Sequence, residues 1–295
     1  MKSLLGIDFR YLFVTTIVFS QLFGGGGGGG GSSSDSLTYS GATSAALITV
    51  NNATTLVANV LYAAHVSTNM PSAISMTDET LRSSGAVIQS DILRRLSDQL
   101  SKYISSLSNI TTGIDINEPL FCESGSANLS GTLNDSTGTG TLSFVFNSCL
   151  LEGVTYNGSG TFRVDAVDLM LGDIIDATIT FNLLSIASTE FTGSISGTIR
   201  IQHLIGTLTE QSTLNYVSKD NLTGKMYKFE NMVISTAIVI GTHDQWETQM
   251  GNPARSYDST HGYVDAITTK PLRFSSSMLA YPDLVGDILF TGAED

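Results

Sequence analysis

The chain has 295 residues, enough for one large domain or two smaller ones with a substantial core. Only 14% of the residues are charged, and 27 acidic residues against 14 basic ones give a net charge of −13 at pH 7. Such a surface repels phosphate backbones, so nucleic-acid binding is disfavoured. Ser, Thr, Gly and Asn supply most of the polarity, and Thr in particular favours the exposed faces of β-sheets.

Residues 1–23 have the layout of a secretory signal peptide. Lys2 and Arg10 precede an apolar run that is shorter than the roughly 20 residues of a membrane span. A glycine run at 24–31 and a serine run follow, and residues 24–36 are predicted to form a flexible tether because glycines bury no side chain. The sequence therefore predicts an exported protein of the periplasm, cell envelope or extracellular space.

A signal segment, a Gly/Ser tether and Ser/Thr/Gly-rich strands resemble a class of bacterial lipoprotein-like envelope proteins tethered by a glycine run. In that class a cysteine directly before the tether is acylated. Phe23 stands at this position, and the first cysteine of the chain is Cys122. The resemblance implies a location at the periphery of the envelope without the lipid anchor, either as a soluble protein or attached through an uncleaved signal. The class is defined by layout, so it implies no particular activity.

Residues 37–118 are predicted to be a mostly helical segment that packs on a sheet. Residues 37–49 suggest a first strand, and Asn51 and Asn52 supply N-cap chemistry for a helix over 53–66. A second amphipathic helix is predicted over 87–107. A one-sided apolar stripe on each helix is typical of a helix that covers a protein core.

Residues 119–295 are predicted to form an antiparallel β domain. Turn signals occur at 134–138, 156–158 and 220–224, and the polar segment 243–259, which contains Trp246, is expected to be a long loop. Strands are predicted at 124–133, 140–146, 160–167, 176–184, 192–202, 207–216, 225–240, 262–269 and 286–291. The fold class that follows is mainly β: an antiparallel meander forming a strongly curved sheet or partial barrel, with one or two N-terminal amphipathic helices packed on it.

One short motif, Ser-Gly-Thr, recurs along these strands. It begins at Ser130, Ser159 and Ser196, each time within alternating apolar and polar residues. The spacing between copies is too uneven for a solenoid repeat. The glycines are expected to mark bends or bulges where a wide sheet curls.

The chain contains two cysteines, Cys122 and Cys149, which bracket the first predicted hairpin. In an exported protein a disulfide between them is the default prediction. The alternative is a redox or metal-binding pair, but such pairs usually lie close in sequence or are joined by histidines.

A single region has the residue types of a hydrolytic metal site. His243, Asp244, Asp258 and His261 flank the predicted loop around Trp246, and two His with two Asp could bind a metal ion. Their spacing matches no metal-binding motif, so scattered surface residues are the simpler interpretation. The segment from Gly193 to Gly197 has the outline of a nucleophile elbow, but Ile195 stands where the serine would be.

These observations favour a non-enzymatic envelope or secreted protein with a structural or binding role and no cofactor. In one version of this hypothesis, the curved sheet encloses an apolar small ligand. The competing hypotheses are a metal-dependent hydrolase at the His243/Asp258/His261 region and a surface adhesin. An adhesin should show exposed aromatic or edge-strand surfaces.

Overall fold

In the computed structural model, the described residues form one helix and twelve strands. The structure describes residues 36–67, 114–120, 122–134, 136–168, 173–189, 191–204, 209–239, 245–251, 253–275 and 285–293. The elements are α1 (Ala53–Ser67), β1 (Ile114–Leu120), β2 (Ser124–Leu133), β3 (Gly140–Leu151), β4 (Val154–Asp168), β5 (Asp173–Ala187), β6 (Thr192–Leu204), β7 (Thr209–Asp220), β8 (Met226–Ile238), β9 (Gln245–Met250), β10 (Ala254–Asp258), β11 (Gly262–Ser275) and β12 (Val285–Thr291).

All the strands belong to one 12-stranded antiparallel sheet in which neighbours in sequence are mostly neighbours in space. The exceptions are β9 and β10, which both lie between β8 and β11. β10 pairs with the first half of β8 and β9 with the second half, so together they act as one strand interrupted near Gly251. The predicted antiparallel meander is therefore confirmed.

Alternation along the strands separates the sheet into two faces. In β3, Leu142, Phe144 and Phe146 are buried, whereas Thr141, Ser143 and Val145 are exposed. We call the apolar side the inner face and the opposite side the outer face. On the inner face, α1 packs on β7, β8 and β10, and its Leu56 and Val60 join the same core cluster as the strands.

Aromatic rings fill the inner face over β3, β4 and β5. Phe144 contacts Phe146 and Phe181 at ring-centroid distances of 5.4 and 6.2 Å, and Phe146 contacts Tyr156 at 5.7 Å. Each of these rings is at most 2% exposed. Because burial of large rings contributes strongly to core energetics, these contacts stabilise the pairing of β3, β4 and β5.

Residues 36–47, here called the strap, run over the outer face and then between β11 and β12. The Ala46 N–H donates to Tyr263 O at 2.8 Å, and the Ala293 N–H donates to Ala46 O at 2.8 Å. The segment predicted as a first strand thus forms isolated parallel bridges, Ala45 with Tyr263 and Leu47 with Ala293.

The helix predicted over 53–66 is confirmed as α1, and the predicted turns at 134–138 and 220–224 are confirmed. The predicted turn at 156–158 is wrong, because Tyr156 and Gly158 pair on both sides within β4. The long loop predicted over 243–259 is also wrong, since most of that range forms β9 and β10. The second predicted helix, 87–107, lies outside the described residues.

Strands begin earlier than predicted, because β1 falls largely within the segment expected to be mostly helical. Its pairing with β2 runs in unbroken register from Ile114 opposite Leu133 to Leu120 opposite Ala127. Within the described ranges, no helix combines the length and the apolar character needed to cross a membrane.

Candidate functional site

The structure places two of the four predicted metal ligands, Asp258 and His261, in the turn between β10 and β11. Asp258 Oδ1 accepts the backbone N–H groups of Thr260 and His261 at 2.8 and 3.1 Å. Its Oδ2 accepts the side-chain amide of Asn59 from α1 at 3.3 Å. The carboxylate is 1% exposed, so it caps the turn and holds the helix.

His243 and Asp244 lie outside the described residues. Among the residues that are described, no group of three or more His, Cys, Asp and Glu is placed to hold a metal ion. The metal-site hypothesis therefore gains no support from the geometry around Asp258.

Asp258 belongs to a buried polar row beneath α1. Ser218, Tyr227 and Asp258 lie directly opposite one another on β7, β8 and β10. Burial, reinforced by the charges of Asp258 and Asp220, raises the pKa of Tyr227 and keeps its phenol neutral. Asp220 mirrors Asp258 by capping its own turn, with Oδ1 accepting the Leu222 N–H at 2.8 Å.

The predicted disulfide is confirmed. Cys122 and Cys149 are joined with a Cα–Cα distance of 5.3 Å, and Cys149 is fully buried. Cys122 lies two residues before the start of β2, and Cys149 lies near the end of β3. The bond closes the open end of the β2–β3 hairpin.

The outer face carries a continuous row of neutral polar side chains, here called the hydroxyl row. The strand registers place its members opposite one another from β2 to β7: Ser130, Ser143, Thr161, Thr180, Thr198 and Asn215. None of these residues is buried. With strands about 4.8 Å apart, the row spans about 24 Å.

The Ser-Gly-Thr motif contributes three members of this row. In each copy the glycine faces inward, and the flanking Ser and Thr therefore face outward because side chains alternate along a strand. Ser130, Thr161 and Thr198 come from the three copies. The motif was visible in the sequence, but the alignment of its hydroxyls depends on strand register.

Charged residues beside the row are paired. Arg200 donates to both carboxylate oxygens of Asp176, from Nε at 3.0 Å and from a terminal nitrogen at 2.6 Å. Gln202 adds a bond to the same carboxylate at 3.0 Å. The Arg200 hydrogen bonds, chiefly, hold the pKa of Asp176 below its usual value. The Arg200–Asp176 pair therefore adds no net charge to this part of the outer face.

A second polar cluster covers the outer face of β8, β10 and β11. The Tyr257 hydroxyl donates to Glu230 at 2.7 Å, and Lys228 pairs with the same carboxylate at 3.1 Å. Arg255 forms two 2.7 Å bonds to Asp265 and stacks over the Tyr263 ring at 4.1 Å. These charges also cancel.

The strap lies on this cluster. The Tyr39 ring packs on Tyr257 at 5.7 Å, and the Leu37 N–H donates to Ser196 Oγ at 3.0 Å. Burial, then Asp258 and Tyr257, raises the pKa of Tyr39 to about 12. A shallow groove of about 280 Å³ opens where the strap meets β6, β7 and β8, lined by Leu37, Ser196, Asn215, Lys228 and Glu230, among others.

The hydroxyl row, the buried polar row and the cluster under the strap contain no recognisable pairing of a nucleophile with a general base in the described part of the chain. No family model, curated protein or solved structure matches this chain. The chemistry of these surfaces is therefore the basis for a functional assignment.

Proposed function

We propose that the chain is a non-enzymatic, exported binding protein of the cell envelope or extracellular space. Its ligand is a neutral, polyhydroxylated polymer such as a polysaccharide, bound along the hydroxyl row. The observation that carries this proposal is the alignment of Ser130, Ser143, Thr161, Thr180, Thr198 and Asn215 across β2 to β7.

The chemistry of the row fits that class of ligand. Serine and threonine hydroxyls both donate and accept hydrogen bonds, as sugar hydroxyls do, and the Asn215 amide offers both functions as well. The ion pair of Arg200 with Asp176 leaves little net charge to favour an ionic polymer. A row of about 24 Å could contact several successive sugar units of an extended chain.

Export is supported by the signal-like start of the sequence and by the Cys122–Cys149 disulfide, which fits an oxidising compartment. Strong curvature of the sheet belongs to the same proposal. A broad single sheet that buries a continuous inner face is expected to curl around what covers that face.

The apolar-ligand version of the hypothesis has less support. It requires an open space on the inner face, but Phe144, Phe146, Tyr156 and Phe181 contact one another there and are buried. The hydrolase version is weakened by Asp258, because both of its carboxylate oxygens already accept hydrogen bonds from the chain.

Affinity electrophoresis in gels that contain a neutral β-glucan, a neutral α-glucan or anionic alginate tests the proposal. We expect retardation of the purified full chain by at least one neutral polymer. Replacing Thr161, Thr180 and Thr198 together by Val keeps the side-chain shape and removes three hydroxyls, so retardation should fall at least about tenfold.

Thr155→Val with Thr192→Val is the matched control, because Thr155 and Thr192 lie outside the row on β4 and β6. This control should bind like the unmodified chain. Equal binding by the triple variant, or no retardation in any neutral gel, would refute the role of the row.

A further inference from the structure

The two end strands of the sheet, β1 and β12, differ in how far their residues discourage pairing with a further strand. β1 contains Asp115, Glu118 and an exposed Pro119, all of which discourage pairing with another strand. β12 has no proline, and its one charged residue, Asp287, is paired with Lys270 at 2.5 Å. Among the described residues, no strand lies on the far side of β12.

Apolar side chains are exposed on the outer face at this same edge. Leu289 of β12 is 52% exposed, and Ile267, directly opposite on β11, is 37% exposed. Leu47 of the strap, which bridges to Ala293, is 47% exposed. Apolar surface beside an unprotected strand edge is typical of a strand-addition site.

The backbone of β12 is oriented for pairing. The Ala293 N–H points toward the strap, on the β11 side, where it donates to Ala46 O. Polar backbone groups alternate sides along an antiparallel strand, so those of Ile288 and Phe290 point to the free edge. Both of these side chains pack inward against the core.

We propose that β12 pairs antiparallel with β12 of a second copy of this chain, about a twofold axis at Leu289. This register places Ile288 opposite Phe290 of the other copy on the inner face. On the outer face it places Leu289 opposite its own equivalent and Asp287 opposite Thr291. Inner side chains therefore meet inner ones, and no like charges face each other.

The overall charge acts against this dimer, and that gives it a distinctive salt dependence. Two chains of net charge −13 repel each other, and the repulsion is screened over about 10 Å at 0.1 M ionic strength. The contacts at Leu289 are apolar and are not weakened by salt. Dimerisation should therefore strengthen as sodium chloride is raised from 0.05 to ~0.5 M.

Sedimentation velocity of the purified full chain tests the dimer. We expect concentration-dependent dimers, and Leu289→Lys should raise the dimer Kd at least tenfold with an unchanged unfolding midpoint. Leu222→Lys, in the turn after β7 and 75% exposed, is the matched control and should dimerise normally. A chain that is monomeric at every concentration, or a dimer insensitive to Leu289→Lys, overturns the proposal.

Cysteine pairing tests the register independently of Leu289→Lys. The native cysteines are bonded to each other, so a new cysteine has no partner within its own chain. Leu289→Cys should cross-link to itself under mild oxidation, and Leu222→Cys should not. Asp287→Cys and Thr291→Cys should cross-link only when the two variants are mixed. Efficient cross-linking of either variant alone would exclude this register.

Discussion

Gly160 affects both faces of the sheet, because it makes room for a ring on the inner face and its neighbours carry hydroxyls on the outer face. A Cβ at this position would collide with the carbonyl oxygen of Thr180 and with the ring of Phe144. Its missing side chain lets the Phe144 ring lie across β4 and reach Phe181 on β5. The adjoining Ser159 and Thr161 supply outward hydroxyls, and the register shifts between Ser159 and Gly160. The bend or bulge expected of the motif glycines is confirmed at this copy.

Gly160→Ala is therefore expected to destabilise the fold by about 1–3 kcal/mol, because the backbone of β5 and a buried ring must both move. Urea unfolding measures the change. Gly251→Ala is the control, since the nearest atoms to its Cβ would be those of Val233, at 3.3 Å or more, and it should change stability by less than about 1 kcal/mol. Similar losses in both variants would contradict the packing argument.

The hairpin of β2 and β3 is an element whose sequence signals are local. Asn134 accepts the N–H groups of Ser136 and Thr137 at 3.0 and 3.1 Å, which fixes the turn. The alternation of Leu142, Phe144 and Phe146 sets the buried face. The disulfide joins the hairpin at its other end.

Removing both cysteines, as Cys122→Ala with Cys149→Ala, should lower the free energy of unfolding by about 3–4 kcal/mol in the chain-entropy model. The reason is that the unfolded chain regains the freedom of a loop with a sequence separation of 27. Urea unfolding with and without reductant measures this change. Reductant should lower the urea midpoint of the native chain and leave that of the double variant unchanged. Equal stability of the two proteins without reductant would contradict the expected loss.

The sequence does not predict turns and strands whose position depends on pairing with distant strands. Asn157-Gly158 has the composition of a hairpin turn, yet Gly158 pairs with both β3 and β5, and Asn157 pairs with Ser185 of β5, because these strands continue past them. The actual turn lies at Glu152 and Gly153, both with positive φ. In the same way, β9 and β10 are polar enough to suggest a loop, but they fill the space between β8 and β11.

At the scale of the whole molecule, the hydroxyl row exists only because the strands from β2 to β7 pair in one particular register. Each member of the hydroxyl row is an ordinary Ser, Thr or Asn, and composition alone predicts only an exposed polar face. Six strands must align before the side chains form a line. The strap also belongs to this scale, because it joins the beginning of the described chain to its end.

Gly292→Ala should loosen the strap, because a Cβ there would collide with the carbonyl oxygen of Ala46. Hydrogen exchange measures the effect. The amides of Ala46 and Ala293, which form the bonds on either side of the strap residue, should exchange at least about tenfold faster. Amides in the middle of β4, such as Phe162, serve as the internal control and should keep their protection. Unchanged exchange at Ala46 would contradict the role of Gly292.

The strap also sets an order of events as the chain is made. Residues 42–47 are synthesised early, but their hydrogen-bond partners, Ser259, Tyr263 and Ala293, are among the last to appear. The hairpins from β2 to β8 can pair with their neighbours as they emerge, whereas the strap must wait for the C-terminal strands. Its closure joins the beginning and the end of the described residues, so the loop entropy to overcome is large. A chain that stops before β10 would keep its early strands paired but would leave residues 42–47 without these hydrogen-bond partners and open to proteolysis.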